Sequence, residues 1–186
     1  MESDALGTMV LGDEDRAAAI AAVKAALAVT LPHDDALIAA YAETALGLAE
    51  QFLGQALIAR DFAPVLAVRA GWQRLPVAPV RAITAVAALA ADGSAVTLPP
   101  VAHDIDIDAR GEGWVRITDA GGARSVRVQC RAGRAADWAG VPAPLRQGVV
   151  MLAAYLYAER DTTRPPPGAI TALWRPFRTL GLRGAL

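Results

Sequence analysis

The sequence has one cysteine, two histidines, few charges and no long apolar run, and each shortage closes off a class of protein. The single cysteine, Cys130, excludes an internal disulfide framework and suits a reducing compartment. The histidines, His33 and His103, stand far apart, each beside aspartates, and a zinc site needs further ligands at close spacing that are missing here. The longest apolar stretch, residues 148–158, falls well short of the roughly 20 residues a membrane helix requires. No glycine-rich phosphate loop is present: Gly111-Glu112-Gly113 has no helix after it and reads as a hairpin turn. With no acid–base pair and no cofactor motif, the residues point to no enzyme, no cofactor and no resident metal. The acidic start, Met1-Glu2-Ser3-Asp4, has no apolar run behind it. No secretory signal is therefore expected, and the protein reads as soluble and cytoplasmic where it is made.

Charge is scarce and unevenly placed. Charged residues make up 20% of the chain and hydrophobic ones 54%; alanine inflates the second figure but cannot lower the first. A charge-poor surface is common in subunits of permanent assemblies, where part of it becomes interface, though an alanine-rich monomer has the same composition. Residues 1–50 hold nine acids against Arg16 and Lys24, whereas residues 124–186 hold ten arginines against three acids. Opposite ends of this kind suit head-to-tail contact between copies, or a basic end facing an acidic partner or DNA. The same two ends can equally pair within one monomer.

With 186 residues the chain fits one domain, or one domain carrying a sizeable insertion, and it is long enough to bury a real core. The first eleven residues lack periodicity and read as an arm. An alanine-rich helix is expected over 13–28, with Asp13, Glu14 and Asp15 favouring its N-terminus. After Leu31-Pro32-His33 a second helix is expected, capped by Asp34 or Asp35 and closed by Gly54. Its stripe is Leu37, Tyr41, Ala45, Leu48 and Phe52, widened by Ile38, Ala42, Ala49 and Leu53. From 57 to 132 the helical period gives way to short strands at 62–68, 80–89, 95–98, 105–107, 114–117 and 126–130. Turns at Asp92-Gly93, Arg110-Gly111 and Gly121-Gly122 separate several of them. In the last strand Val126, Val128 and Cys130 alternate with Arg127, Gln129 and Arg131, so one face is buried and the other open. Helix returns after Val141-Pro142-Ala143-Pro144 and ends near Arg160-Asp161. A Pro165-Pro166-Pro167 linker leads to a last short helix over 169–174, stopped by Pro176. The fold class is α+β: N- and C-terminal helices in a bundle, with a small antiparallel β-module inserted between them. The helical part is 13–55 and 143–160, the module 57–132, and 161–186 a C-terminal docking segment, all in a single domain.

The most enzyme-like string is His103-Asp104-Ile105-Asp106-Ile107-Asp108. Asp104, Asp106 and Asp108 at alternate positions suit one strand face holding a hard cation, but a calcium loop also needs a turn glycine and a distal glutamate. Alternation with Ile105 and Ile107 is also what any half-exposed strand shows. Cys130, on the inward period, reads as a buried structural thiol.

The order of these elements resembles the head–tail connector (adaptor) family of long-tailed double-stranded-DNA phages and gene transfer agents. The likeness is carried by Asp34-Asp35-Ala36-Leu37-Ile38-Ala39-Ala40-Tyr41 running on to Phe52-Leu53-Gly54, and by Val141-Pro142-Ala143-Pro144-Leu145-Arg146-Gln147 leading to Tyr155-Leu156-Tyr157-Ala158-Glu159-Arg160. Leu173-Trp174-Arg175-Pro176-Phe177-Arg178 and the proline-punctuated Arg74-Leu75-Pro76-Val77-Ala78-Pro79 complete it. One departure is the alanine-rich run at 18–30, where the family has a more polar helix. The resemblance implies a ring of about a dozen copies under a portal protein, extending the DNA channel and receiving a downstream stopper or tail protein. It also implies assembly in the host bacterial cytoplasm, then residence in the neck of the particle. A stopper or tail-completion protein, or a small metal-binding domain on the three aspartates, are the alternatives. The docking element is expected at Arg164, Ile170, Leu173, Trp174, Arg175, Phe177 and Arg178, with aromatic and arginine anchors, against packing of this helix onto its own subunit as the plain reading. Arg124, Arg127 and Arg131 are the candidates for facing passing DNA without sequence-specific binding, against surface solvation as the plain reading.

Overall fold

The computed structural model describes residues 11–30, 32–159 and 165–178. Residues 1–10 of the expected arm over 1–11, Arg164 and the tail from 179 lie outside the described residues; Leu11 is buried, and the helix expected to end near Arg160-Asp161 ends at Ala158. The chain divides into two compact units, one of Ile58–Arg134 and one built from the segments on either side of it.

The first unit is antiparallel β. Its strands are β1 (Arg60–Phe62), β2 (Val65–Ala67), β3 (Trp72–Arg74), β4 (Val80–Leu89), β5 (Ala95–Thr97), β6 (His103–Ile107), β7 (Gly113–Ile117) and β8 (Ser125–Ala132). Within that unit they form two sheets: β1-β8-β4-β5, with β2 also on β8, and β3-β7-β6. The single strand expected over 62–68 is two, because Pro64 has no N–H for a ladder; its carbonyl instead accepts the Val128 N–H (3.0 Å). β1 and β2 then pair with the two halves of β8, Phe62 opposite Cys130 and Val65 opposite Arg127. β3 was not legible as a strand; three residues among prolines and glycines carry no period. The alternation of β8 is realised as expected. Val126, Val128, Cys130 and Ala132 are buried with Val80 and Val86 of β4, and Leu75, Val115 and Ile117 add the second sheet's share of the core.

The second unit holds α1 (Asp13–Leu27), α2 (Asp35–Leu53), α3 (Ala143–Ala158) and α4 (Gly168–Trp174). The helices form because their interiors are rich in alanine and leucine, and α2 ends as expected on Gly54 in the left-handed region (φ 70°). α2 and α3 run antiparallel: Tyr157, at the end of α3, donates its hydroxyl to Asp34 at the start of α2 (2.6 Å). That bond replaces the expected cap, since Asp34 makes no side-chain capping bond to α2. α1 is pinned by Arg16 on Glu43 (2.8 Å) and Lys24 on Asp35 (2.6 Å), and the Trp138 N–H donates to Asp15 (2.6 Å). Glu50, 1% exposed, accepts the Leu57 N–H (2.7 Å) and so closes the turn that leaves α2.

The phase of α2 differs from the expected stripe. Ile38, Ala42, Ala45, Leu46, Ala49 and Leu53 face the core, whereas Leu37 and Leu48 remain 44% and 43% exposed. Tyr41 and Phe52 are half-buried. α2 is apolar around so much of its circumference that two adjacent stripes satisfied the same period.

Candidate assembly surfaces

The C-terminal segment begins with the extended Pro165–Pro167 and turns into α4, which lies along α3. Its aromatic residue settles where it goes. Trp174 is 3% exposed; its indole N–H donates to the Leu145 carbonyl (3.3 Å) and its ring lies 5.9 Å from that of Phe52. The seat is made by Gly148 of α3, where a methyl group would collide with the indole nitrogen of Trp174. Ile170 is buried in the same way. These two side chains therefore fill pockets of their own unit. The expectation that they project freely toward a partner does not describe this arrangement, because burying an indole against a glycine notch one helix away needs no second chain.

The remaining members of the segment are differently placed. Leu173 and Phe177 are half-exposed, and Arg175 and Arg178 are exposed. The Gln55 side chain donates to the Phe177 carbonyl (2.8 Å), and the Arg178 guanidinium sits 5.3 Å from the centre of the Phe52 ring. The segment is thus a short helix held by Trp174 that presents two arginines and two partly covered apolar side chains. Arg164 lies outside the described residues.

On the β unit, Arg127, Gln129 and Arg131 share the outward face of β8. Arg131 approaches Asp61, at 3.5 Å, while Arg124 and Arg127 have no carboxylate partner among the described residues. Such unpaired guanidinium groups suit contact with an anionic surface but grip nothing specific. Arg124 also lines a cavity of about 550 Å³ with Leu89, Val96, Leu98 and the Gly121-Gly122 turn. This concavity lacks the convergent polar groups of a small-molecule site.

The aspartates of β6 do not make a cation site. Asp104 is taken by Arg116 (2.8 Å), which also lies over Trp72, and Asp108 accepts the backbone N–H groups of Arg110 and Glu112 in the hairpin turn. Those turn N–H groups, the Glu112 one first, hold the Asp108 carboxyl below its usual range. Among the described residues no three His, Cys, Asp or Glu side chains gather where a metal ion could be held. Strand alternation alone had suggested one face, but the chain turns at Asp108, and Asp104 has a strand-neighbour arginine. Cys130 is buried, and its desolvation, with the charge of Asp61 as a lesser cause, pushes the thiol up to about 11. His33 lies in the 3₁₀ turn between α1 and α2, and His103 opens β6. Within the described residues no helix is long and apolar enough to cross a membrane.

Sequence reasoning missed two features of these surfaces. The Gly148 notch has no signal in a single sequence, since a glycine inside a helix gives no hint of what sits on it. The exposure of Leu37 and Leu48 was hidden by the breadth of the α2 stripe.

No protein-family model matches the chain, and no curated protein matches it. Solved structures do. A chain from the neck of an empty gene transfer agent (GTA) particle, computed with C6 symmetry, is 25% identical with a TM-score of 0.75, over 95% of this chain and 96% of that one. A chain from the neck of a native GTA particle, computed with C12 symmetry, is 27% identical with a TM-score of 0.69 over the same shares. A third, from the virion of a native gene transfer agent particle, is 24% identical with a TM-score of 0.69 and shows the shared fold. The chain's resemblance to the head–tail connector family of gene transfer agents thus holds in structure as well as in the order of its sequence elements.

Proposed function

We propose that the chain is a structural neck subunit, the adaptor that forms a ring beneath the portal protein of a tailed phage or gene transfer agent particle. The observation that carries this reading is the likeness over 95% of the chain to neck chains of particles computed with sixfold and twelvefold symmetry. Twelve copies satisfy both symmetries, which supports a dodecamer. The ring extends the DNA channel and receives a downstream stopper or tail protein. It assembles in the host cytoplasm, and catalysis has no part in it.

In this reading the C-terminal segment docks the portal through Leu173, Arg175, Phe177 and Arg178, with Arg164 on the linker. Ile170 and Trp174 serve from inside, fixing α4 on its own subunit so that the docking groups are presented in one geometry. Preorganisation of this kind lowers the entropy lost on docking, and repetition around a ring turns weak contacts into durable ones. Arg124, Arg127 and Arg131 are the groups proposed to meet passing DNA, through charge alone.

Native mass spectrometry of the full chain, alone and mixed with its portal, tests the reading. A ring, or stoichiometric joining to the portal, is the expected result; a monomer indifferent to the portal overturns it. Arg175→Glu with Arg178→Glu should abolish portal binding while leaving the fold intact by circular dichroism.

A further inference from the structure

Two helix faces of the second unit are unusual in the same respect. The solvent face of α2 runs through Leu37, Ala40, Tyr41, Thr44 and Leu48 without a charged residue. The only charges in the helix beyond its first residue are Glu43, turned to Arg16, and Glu50, which is buried. Beyond its first turn the solvent face of α1 is as bare: Ala17, Ala18, Ala21 and Ala25 are all exposed, while Arg16 and Lys24 are turned to Glu43 and Asp35. A helix at the surface of a free-standing protein normally places charged and polar residues on its outer face. Here that rule fails twice, once with a ridge of large side chains and once with a smooth alanine surface.

The faces differ in charge at one end. α1 begins with Asp13 and Glu14, both exposed and without a partner among the described residues. The C-terminal end of α2 is bordered by Arg178, over the Phe52 ring. The spans match: Glu14 to Ala25 and Leu37 to Leu48 are each eleven helical steps, about 17 Å. An antiparallel pairing brings the acidic start of α1 to the arginine-bordered end of α2, and the leucine ridge onto the alanine surface.

We infer that the outer face of α2 in one copy docks on the alanine face of α1 in the next copy. Because the two faces are different and are bordered at one end by opposite charges, the contact is head-to-tail, the kind that generates a closed ring rather than a pair. It also gives the alanine run of α1 a purpose, since a flat surface lets a neighbouring helix approach closely. This inference rests on the neck reading for its occupant, a second copy of the same chain. Charge complementarity and matched length select that copy's α1.

The test uses the full chain in whichever preparation the wild type forms its ring, alone or on the portal. Ala21→Glu and Leu48→Glu each place a charge on an exposed helix position, so both should fold as the wild type does by circular dichroism. Each should leave only monomer by native mass spectrometry. An equal mixture should give a heterodimer and nothing larger, because each variant keeps one sound face. Glu14→Arg, which leaves every portal-docking residue in place, should weaken the ring about tenfold, whereas Glu14→Asp, which keeps the charge, should not; this pair carries the test if Ala21→Glu or Leu48→Glu fails to fold. Rings from Ala21→Glu, Leu48→Glu or Glu14→Arg equal to those of the wild type overturn the interface while leaving the neck reading intact. A wild type that forms no ring in either preparation overturns both.

Discussion

Strand β8 and helix α2 are both segments whose apolar period was plain in the sequence, yet the period located the core in only one of them. In β8 the side chains have two faces to choose from, and Arg127, Gln129 and Arg131 mark one of them as outward. Val126, Val128 and Cys130 are left no alternative but the core, where they are 0%, 0% and 2% exposed. In α2 the period is 3.6 and nearly every position is apolar, so no charge marks the solvent side. A stripe through Leu37, Tyr41 and Leu48 and a stripe through Ile38, Ala42 and Ala49 are adjacent, and sequence alone cannot rank them. What ranks them is α3: the small side chains Ala42, Ala45 and Ala49 let a second helix pack closely, and the larger Leu37 and Leu48 are left outside. Polar residues thus carry the information that locates a core, and where an interface keeps them off the surface that information is lost.

Much else follows from the same distinction. Turn glycines and prolines bounded β4 to within the observed residues, and the return to helix after Val141 was equally clear. β3 and the division of the strands into two sheets were not legible, because three-residue strands have no measurable period and sheet order is set by long-range pairing. Among the candidate site residues, Arg175 and Arg178 are exposed as a docking role requires, while Trp174 and Ile170 turn inward. An aromatic residue near an arginine suits a partner's pocket and the chain's own pocket equally well. Only the notch at Gly148, which is a property of another helix, separates the two.

The contrast within β8 is the largest to test. Val128→Asp puts a carboxylate where no partner or water is available and should destabilise the β unit by about 4 kcal/mol or more, enough to unfold it. Arg127→Asp, one residue away on the open face, should change stability by no more than about 0.5 kcal/mol. Urea denaturation of both variants checks the pair; similar midpoints would mean that β8 does not lie as described.

A smaller contrast belongs to α2. Leu46→Ala empties a fully buried site and should cost about 3 kcal/mol, whereas Leu48→Ala, 43% exposed in the wild type, should cost less than about 1 kcal/mol. Measured on the monomer, this difference fixes the phase of the helix. Measured on assembled rings, the order should tighten or reverse, because Leu48 is then covered by the neighbouring copy. A Leu48→Ala change equally mild in both states would remove the ridge from the interface.

The smallest effect at neutral pH is that of Cys130, and it returns to the buried face of β8. Its folded thiol titrates near 11 because burial disfavours the thiolate, against an ordinary value of 9.0. The unfolded chain therefore loses this proton before the folded one does. Below about pH 9 both states hold the proton and the residue makes stability no more pH-dependent. Between about 9 and 11 the unfolded state is increasingly ionised while the folded state is not, so stability must fall as pH rises. Cys130→Ala removes that slope at the cost of a small cavity, so the wild type and variant curves should be parallel below pH 9 and converge above it. The same burial predicts that a maleimide label reaches the thiol only when the chain unfolds. Rapid labelling of the native protein at pH 8 would show that β8 opens under native conditions, and that its inward face is as accessible as the outward stripe of α2.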